Sequence, residues 1–269
     1  MSVITISRGS YSKGKEVAEK TAERLGYSII SRDIILEASK EFNIPEIKLV
    51  RALHDAPSIL NRYRNGRQKY IAFIRAALLK HFSQDNLVYH GLAGHFFVKG
   101  IPHLLKVRVI ADMEDRIKLE MDREGISRRE ARHVLKKDDE ERRKWSQQLY
   151  GIDTWDASLY DLVIHIRKIS VDDAVDIICH TVGLEDFQTT PASKTAMEDL
   201  ALSATVKAAF WDSGYKLDVS AEKGVVYVKT EVPLAQESTL AQDLENISKN
   251  IKGIKDIKVN VLPSLPYSE

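Results

Sequence analysis

The stretch Gly9-Ser10-Tyr11-Ser12-Lys13-Gly14-Lys15-Glu16 constrains this chain more than any other. It fits the pattern G-x-x-x-x-G-K. Before it lies a β-branched run, Val3 to Ile6, that reads as a strand; after it, Val17 to Leu25 has helical periodicity and stops at Gly26. Strand, glycine loop and helix form the setting in which this pattern binds phosphate. Glycines let the backbone wrap close to an anion, so that successive N–H groups point at it. The N-terminus of the following helix adds partial positive charge. Gly9, Ser10, Ser12, Lys13, Gly14, Lys15 and Glu16 are therefore candidates for holding the phosphates of a nucleotide, with Lys15 neutralising the transferable one. The pattern ends in Ser or Thr where a hydroxyl binds Mg²⁺. Here it ends in Glu16, so the metal would be held through water or by a residue such as Ser10. On spacing alone, a glycine turn that merely joins strand to helix is the plainer alternative.

The chain after the loop alternates strand and helix. Tyr27–Ile30, Leu87–Tyr89, Leu105–Ala111 and Leu162–Ile166 read as strands. A helix capped by Asp33, another over 67–82, a long charged one over 114–145, and one over 171–182 opened by Ser170 or Asp172 read as helices. That order predicts an α/β fold, a mainly parallel sheet with helices on its faces. The texture changes near residue 186. A polar, proline-containing stretch over 186–194 reads as a linker. Beyond it come a helix at 196–213, strands at 216–220 and 225–231, a helix at 239–251 and a last strand at 257–261, an αββαβ unit. The expected division is 1–185, linker 186–194, second domain 195–263 and a tail 264–269.

Composition limits the function classes. Lys+Arg is 40 against Asp+Glu at 39, a net charge of +1, which argues against a chain built to coat nucleic acid. A single cysteine, Cys179, excludes a disulfide within the chain and leaves no cysteine-based zinc site. The absence of a signal-peptide pattern and of any run near the length of a membrane span predicts a cytoplasmic chain that is not transmembrane. His90 and His95 have no third ligand nearby and do not make a metal site. Cys179, Trp145, Trp155 and Trp211 read as packing residues. Tyr63, Arg64, Arg67, Lys69 and Tyr70 form a basic-aromatic cluster, read equally as a nucleic-acid surface or as an acceptor-side helix.

The first 185 or so residues resemble the cytidylate kinase-like members of the P-loop nucleoside monophosphate kinases. Three regions carry the resemblance. The first is Ile4-Thr5-Ile6-Ser7-Arg8 with Ser12, Gly14 and Val17-Ala18, an Ile-Ser-Arg opening before a modified phosphate loop. The second is Ala111 to Arg116 and then Lys136 to Lys144. There Lys137-Asp138, Glu141 and Lys144 keep the charge signs of the family's Arg-Asp-x-x-Asp-x-x-Arg lid pattern. The third is Tyr160 to His165 with Val171 and Ala174, similar to the last strand and helix of these kinases. The chain departs at Glu16, at Leu92 where the family shows Arg after Gly91, at Leu119, and in lysine for arginine at two lid positions. Lysine lacks the planar fork that grips phosphate bidentately.

The resemblance implies Mg·ATP as phosphoryl donor and a nucleoside monophosphate, CMP or dCMP, or a related small molecule as acceptor. Lys15, Lys137, Asp138, Arg142 and Lys144 would carry the transfer, and Arg8, Arg32, Asp33, Arg116 and Arg143 would contact the acceptor or its phosphate. The alternative is a nucleotide-binding sensor without catalysis, favoured by Glu16 and Leu92. From about Thr195 to Leu262 the chain resembles a BON domain, through Gly224-Val225-Val226-Tyr227-Val228 and Ile251-Lys252-Gly253-Ile254-Lys255-Asp256-Ile257. That likeness implies a small ligand or a phospholipid as its partner, a docking or regulatory role, and no catalysis. A membrane-surface adaptor is a third reading, without a basic amphipathic helix to support it.

Overall fold

The computed structural model describes residues 2–9, 12–31, 33–41, 64–91, 94–98, 100–215, 217–232 and 237–263. The sequence's apolar runs become strands and its amphipathic stretches become the helices that cover them. In chain order these are β1 (Val3–Arg8), α1 (Gly14–Leu25), β2 (Ser28–Ile30), α2 (Asp33–Glu41), α3 (Arg64–Phe82), β3 (Leu87–His90) and β4 (Leu104–Ala111). Then come α4 (Met113–Glu124), α5 (Arg128–Tyr150), β5 (Leu162–Ile166), α6 (Val171–Val182) and α7 (Pro191–Ala209). The chain continues through β6 (Leu217–Glu222), β7 (Val225–Val232), α8 (Glu237–Ser248) and β8 (Asp256–Pro263).

β1 to β5 form one sheet in the order β2-β3-β1-β4-β5, with every pair parallel. Alternation along β1 sorts its side chains between two cores. Val3 joins the cluster built on Phe73, Ile74, Leu78 and Phe82 of α3. Ile4 and Ile6 join Val17 and Ala18 of α1 and Val175 and Ile178 of α6. The sheet is therefore buried on both faces, as parallel sheets are. Two ion pairs, Lys20–Asp172 at 2.9 Å and Arg24–Asp176, run between α1 and α6 on that second face. β1 is central, so the chain crosses from one half of the sheet to the other beside it, and a ligand is expected at the carboxyl ends of such strands.

Three expectations need correction, and one open alternative is settled. The charged stretch is two helices, not one. Gly125 ends α4 in the left-handed region at φ 66°, and Ser127 opens α5 with a capping box to Glu130. The stretch read as a linker already contains a helix start: Thr190 caps α7 through Ser193, and Pro191 is its first turn. Asp33 is the first residue of α2 rather than the residue before it. Ser170, not Asp172, caps α6.

The αββαβ order of the C-terminal region holds as read, with β6 and β7 antiparallel and β7 and β8 parallel. Its own core gathers Leu202, Val206, Phe210, Leu217, Val226, Val228, Leu240 and Leu244. α7 serves two cores at once. Its Met197, Ala201, Ala204 and Ala208 belong to the α3 cluster, while Leu202, Val206 and Phe210 belong to the C-terminal one.

Candidate active site

The glycine loop sits at the carboxyl end of β1, tied to β4. The Gly9 N–H donates to Val109 O at 3.3 Å. The wholly buried Ser12 hydroxyl lies 2.9 Å from Val109 O and 3.1 Å from Gly9 O, so it donates across the loop. Lys13 then turns the chain in the left-handed region, φ 60° and ψ 10°. Gly14 follows because nothing larger fits: a Cβ there would lie 2.7 Å from Arg8 Cβ. α1 starts at this point; Lys13, its N-cap, makes no side-chain capping bond, and a helix N-terminus of this kind suits an anion. Left-handed backbone costs a residue with a Cβ roughly 1–2 kcal/mol. Lys13→Gly is therefore expected to raise unfolding free energy by about 0.5–1 kcal/mol, read from chemical denaturation; a loss of stability would contradict this account of the turn.

The charged residues on α1 point along the helix. Lys15 Nζ lies 3.5 Å from Glu19, and Glu16 lies 3.7 Å from Lys20, both i,i+4 pairs on the exposed face. Neither is drawn into the loop. Ser10 and Arg32 lie outside the described residues, as does the Asp33 side chain.

Positive charge reaches the loop from α4 and α5 instead. Ala131, Leu135 and Ser146 are fully buried, and the same helical face carries Asp139 and Arg142 inward. Arg142 Nη1 donates to the carbonyl of Arg8 at 3.4 Å. Arg116 of α4 is buried and pairs with Asp139 at 2.8 Å, beside Gly9. The other lid residues turn outward. Lys137 pairs with Glu141 at 4.0 Å and Lys144 with Glu140 at 3.8 Å, with both lysine side chains more than half exposed. Asp138 is half-buried. Arg143 grips Asp153 through Nε and Nη2 and lies over the Trp155 ring, its cation 4.9 Å from the centroid. Trp155, expected to be a packing residue, is 57% exposed and instead carries that guanidinium. Of the residues put forward from sequence, the structure brings Gly9, Ser12, Lys13, Gly14, Arg8, Arg116 and Arg142 together. Asp139 joins them, although the sequence reading passed over it.

Beside the loop, on the α3 side of the sheet, lies a second polar group. Arg108 of β4 donates to the Tyr160 hydroxyl at 3.2 Å and to Thr154 O, and that hydroxyl donates to Ser7 Oγ at 3.4 Å or Thr154 O at 3.0 Å. His95 packs against Tyr160 with the rings tilted, centroids 4.9 Å apart. Burial, with the nearby positive charges of Lys106 and Arg108, pushes the His95 imidazole down to about 3 from 6.5. Its folded form thus binds fewer protons than the unfolded chain between those values. Its contribution to stability is whole above pH 6.5 and is lost as pH falls toward 3. His103 is lowered by burial and acts in the same direction. Unfolding midpoints are expected to drop between pH 6.5 and 4.5, and less steeply in His95→Gln; equal slopes would refute a buried neutral His95. Asp112, at the end of β4, is held by His165 at 3.1 Å and Arg167 at 2.7 Å, closing the far side of the sheet's carboxyl edge.

A parallel sheet with a glycine loop on its central strand, an uncapped helix behind it and arginines above it is the framework of a P-loop phosphotransferase. Residues 3–168 match the model of the cytidylate kinase-like family. A cytidylate kinase of Archaeoglobus fulgidus is 31% identical over 192 residues, which span 69% of this chain and 97% of that one. A cytidylate kinase of Pyrococcus horikoshii is 30% identical over 179 residues, 65% of this chain and 85% of that one. The crystal structure of an uncharacterized protein from Eubacterium ventriosum shares the fold, with a TM-score of 0.52 at 23% identity over 68% of this chain and 98% of that one. The chain belongs to the cytidylate kinase-like family and is a nucleotide kinase by class.

Proposed function

We propose that the protein transfers the terminal phosphoryl group of Mg·ATP to a nucleoside monophosphate, with CMP or dCMP as the acceptor its relatives' names suggest. The observation that carries this reading is the meeting of three elements at one point: the loop with its uncapped helix, Arg142 and Arg116. Phosphoryl transfer asks a protein for little covalent chemistry; positioning and charge stabilisation do the work. The loop amides and Lys15 would bind the donor's phosphates. Lys15 would do so after leaving Glu19, an exposed pair of the kind worth at most about 1 kcal/mol. Arg116 and Arg142 would stabilise charge developing on the transferred group, and α5 lying over the loop would exclude water. Mg²⁺ enters as part of the ATP complex. Glu16 lacks the hydroxyl that usually touches it and is paired with Lys20, so this chain's own contribution to the metal would come through water or Ser10. That substitution favours one second reading, a nucleotide sensor that binds without turnover.

We also propose that the C-terminal region, 195–263, regulates the kinase. Its support is α7, whose two faces lie in the two cores, so a change in one domain is felt by α3 of the other. The acceptor assignment is tested by the rate of ADP release with CMP, dCMP, UMP, AMP and GMP in turn. The expected order places CMP and dCMP first. Equal rates with all five would remove the cytosine assignment and leave the kinase reading.

A further inference from the structure

We propose that Asp139 is a positioning residue for phosphoryl transfer, fixing the Arg116 guanidinium against the start of the phosphate loop. This rests on the kinase reading above. Arg116 comes from α4 and Asp139 from α5, and they meet at 2.8 Å between Arg116 Nη2 and Asp139 Oδ2. Their side chains are 9% and 15% exposed, unlike the outward lid pairs, whose lysines are above 60%. Gly9 locates the pair. A Cβ built there would lie 3.9 Å from both Cζ and Nη1 of Arg116 and 4.0 Å from Asp139 Oδ1. Three residues along the same face of α5, Arg142 donates to the carbonyl of Arg8. One helix face therefore engages the two residues at which the chain leaves β1 for the loop.

The physical argument concerns order. A free arginine side chain samples many rotamers, and ordering it costs entropy. A carboxylate hydrogen-bonded to one edge of the guanidinium selects one plane for it and holds it by a charge-assisted bond with little water nearby. A positive group already in place stabilises developing charge without reorganising during the reaction. Because Asp139 sits on the lid helix, Arg116 is ordered only when α5 lies over the loop. Phosphate stabilisation and water exclusion are then established together.

The test is steady-state kinetics with Mg·ATP and the best acceptor on Asp139→Ala, Asp139→Asn, Arg116→Met and the double variant Arg116→Met/Asp139→Ala. Asp139→Ala is expected to lower kcat by about a hundredfold, the scale of an ångström's misplacement, with the acceptor KM unchanged. Asp139→Asn keeps an oxygen that accepts from Nη2 and recovers part of the loss. Adding Asp139→Ala to Arg116→Met has no further effect, because the residue it positions is gone. In parallel, NMR order parameters of the Arg116 Nε–H in the full chain fall in Asp139→Ala. An equal loss in both backgrounds, no recovery in Asp139→Asn, or unchanged Arg116 order would each overturn the proposal. Wild-type protein inert with every acceptor would instead remove the kinase reading, and the Arg116 order parameters would still decide whether Asp139 positions it.

Discussion

A chain ended at Thr190 is expected to lose 10 °C or more of unfolding temperature, about 5 kcal/mol, although it keeps every residue of the phosphate site. The cut looks harmless on the sequence, since it falls in a polar stretch after α6. It removes α7. Met197, fully buried, and Ala201, Ala204 and Ala208 leave the cluster formed with Phe73, Ile74 and Leu78 of α3, and the partly buried Leu200 and Trp211 leave with them. Burying a methionine contributes about 1.5–3 kcal/mol and each alanine methyl under 1. The sum is a large share of the 5–15 kcal/mol that holds a typical domain together. The truncated chain would also expose an apolar face of α3 and aggregate on heating. Thermal unfolding of the two chains checks this. Equal unfolding temperatures would show that α7 is a passenger on the kinase fold, and would take away the support for regulation through it.

Gly14→Val is expected to lower the rate of phosphoryl transfer about a hundredfold while leaving most of the fold intact. A Cβ at that position meets Arg8 Cβ at 2.7 Å and Arg8 Cδ at 3.0 Å, closer than carbon atoms approach. The contact is with the root of a neighbouring side chain, which cannot swing away without moving β1. Overpacking of this kind costs about 1–3 kcal/mol. The functional cost is larger, because the first turn of α1 shifts relative to Gly9 and Ser12. Displacement of binding groups by about an ångström costs on the order of a hundredfold in rate. Kinetics and calorimetric ATP binding on Gly14→Val, with Gly26→Ala as a control, check the claim. Gly26 also has positive φ, at 66°, but nothing lies within 4 Å of its Cβ position, so its substitution strains the helix end without touching the loop. Similar nucleotide affinity in both variants would mean that the close approach at Gly14 has no functional role.

Local features were legible in the sequence; features made by packing were not. Strand, glycine loop and helix are written in consecutive residues, and the loop lies where the spacing of Gly9 and Gly14 places it. The break in the charged stretch has a local signal: Gly125 followed by Ser127 and Glu130 is a helix end and a capping box side by side. The lid register is harder. Asp138 and Asp139 are neighbours about 100° apart around the helix, and the four-residue charge pattern can be read from either. Ala131 and Leu135 decide it, since burying them carries Asp139 and Arg142 inward and leaves Lys137 and Lys144 in solvent. The dual role of α7 left no amphipathic signature because both faces are buried. Adjacent residues Ala201 and Leu202 enter different cores. Arg108 and Tyr160 meet through strand pairing and a loop separated by some fifty residues, a closeness that only the fold creates.

The most direct test of the kinase account is to follow the label from ATP carrying a radioactive γ-phosphate, incubated with Mg²⁺, CMP and the protein. The account predicts label in CDP, appearing in step with ADP, and a loss of transfer in Lys15→Ala and in Arg142→Ala. ATP bound with a Lys15-dependent affinity but no label in any nucleoside diphosphate, whichever monophosphate is supplied, would contradict it and leave a sensor built on a kinase fold.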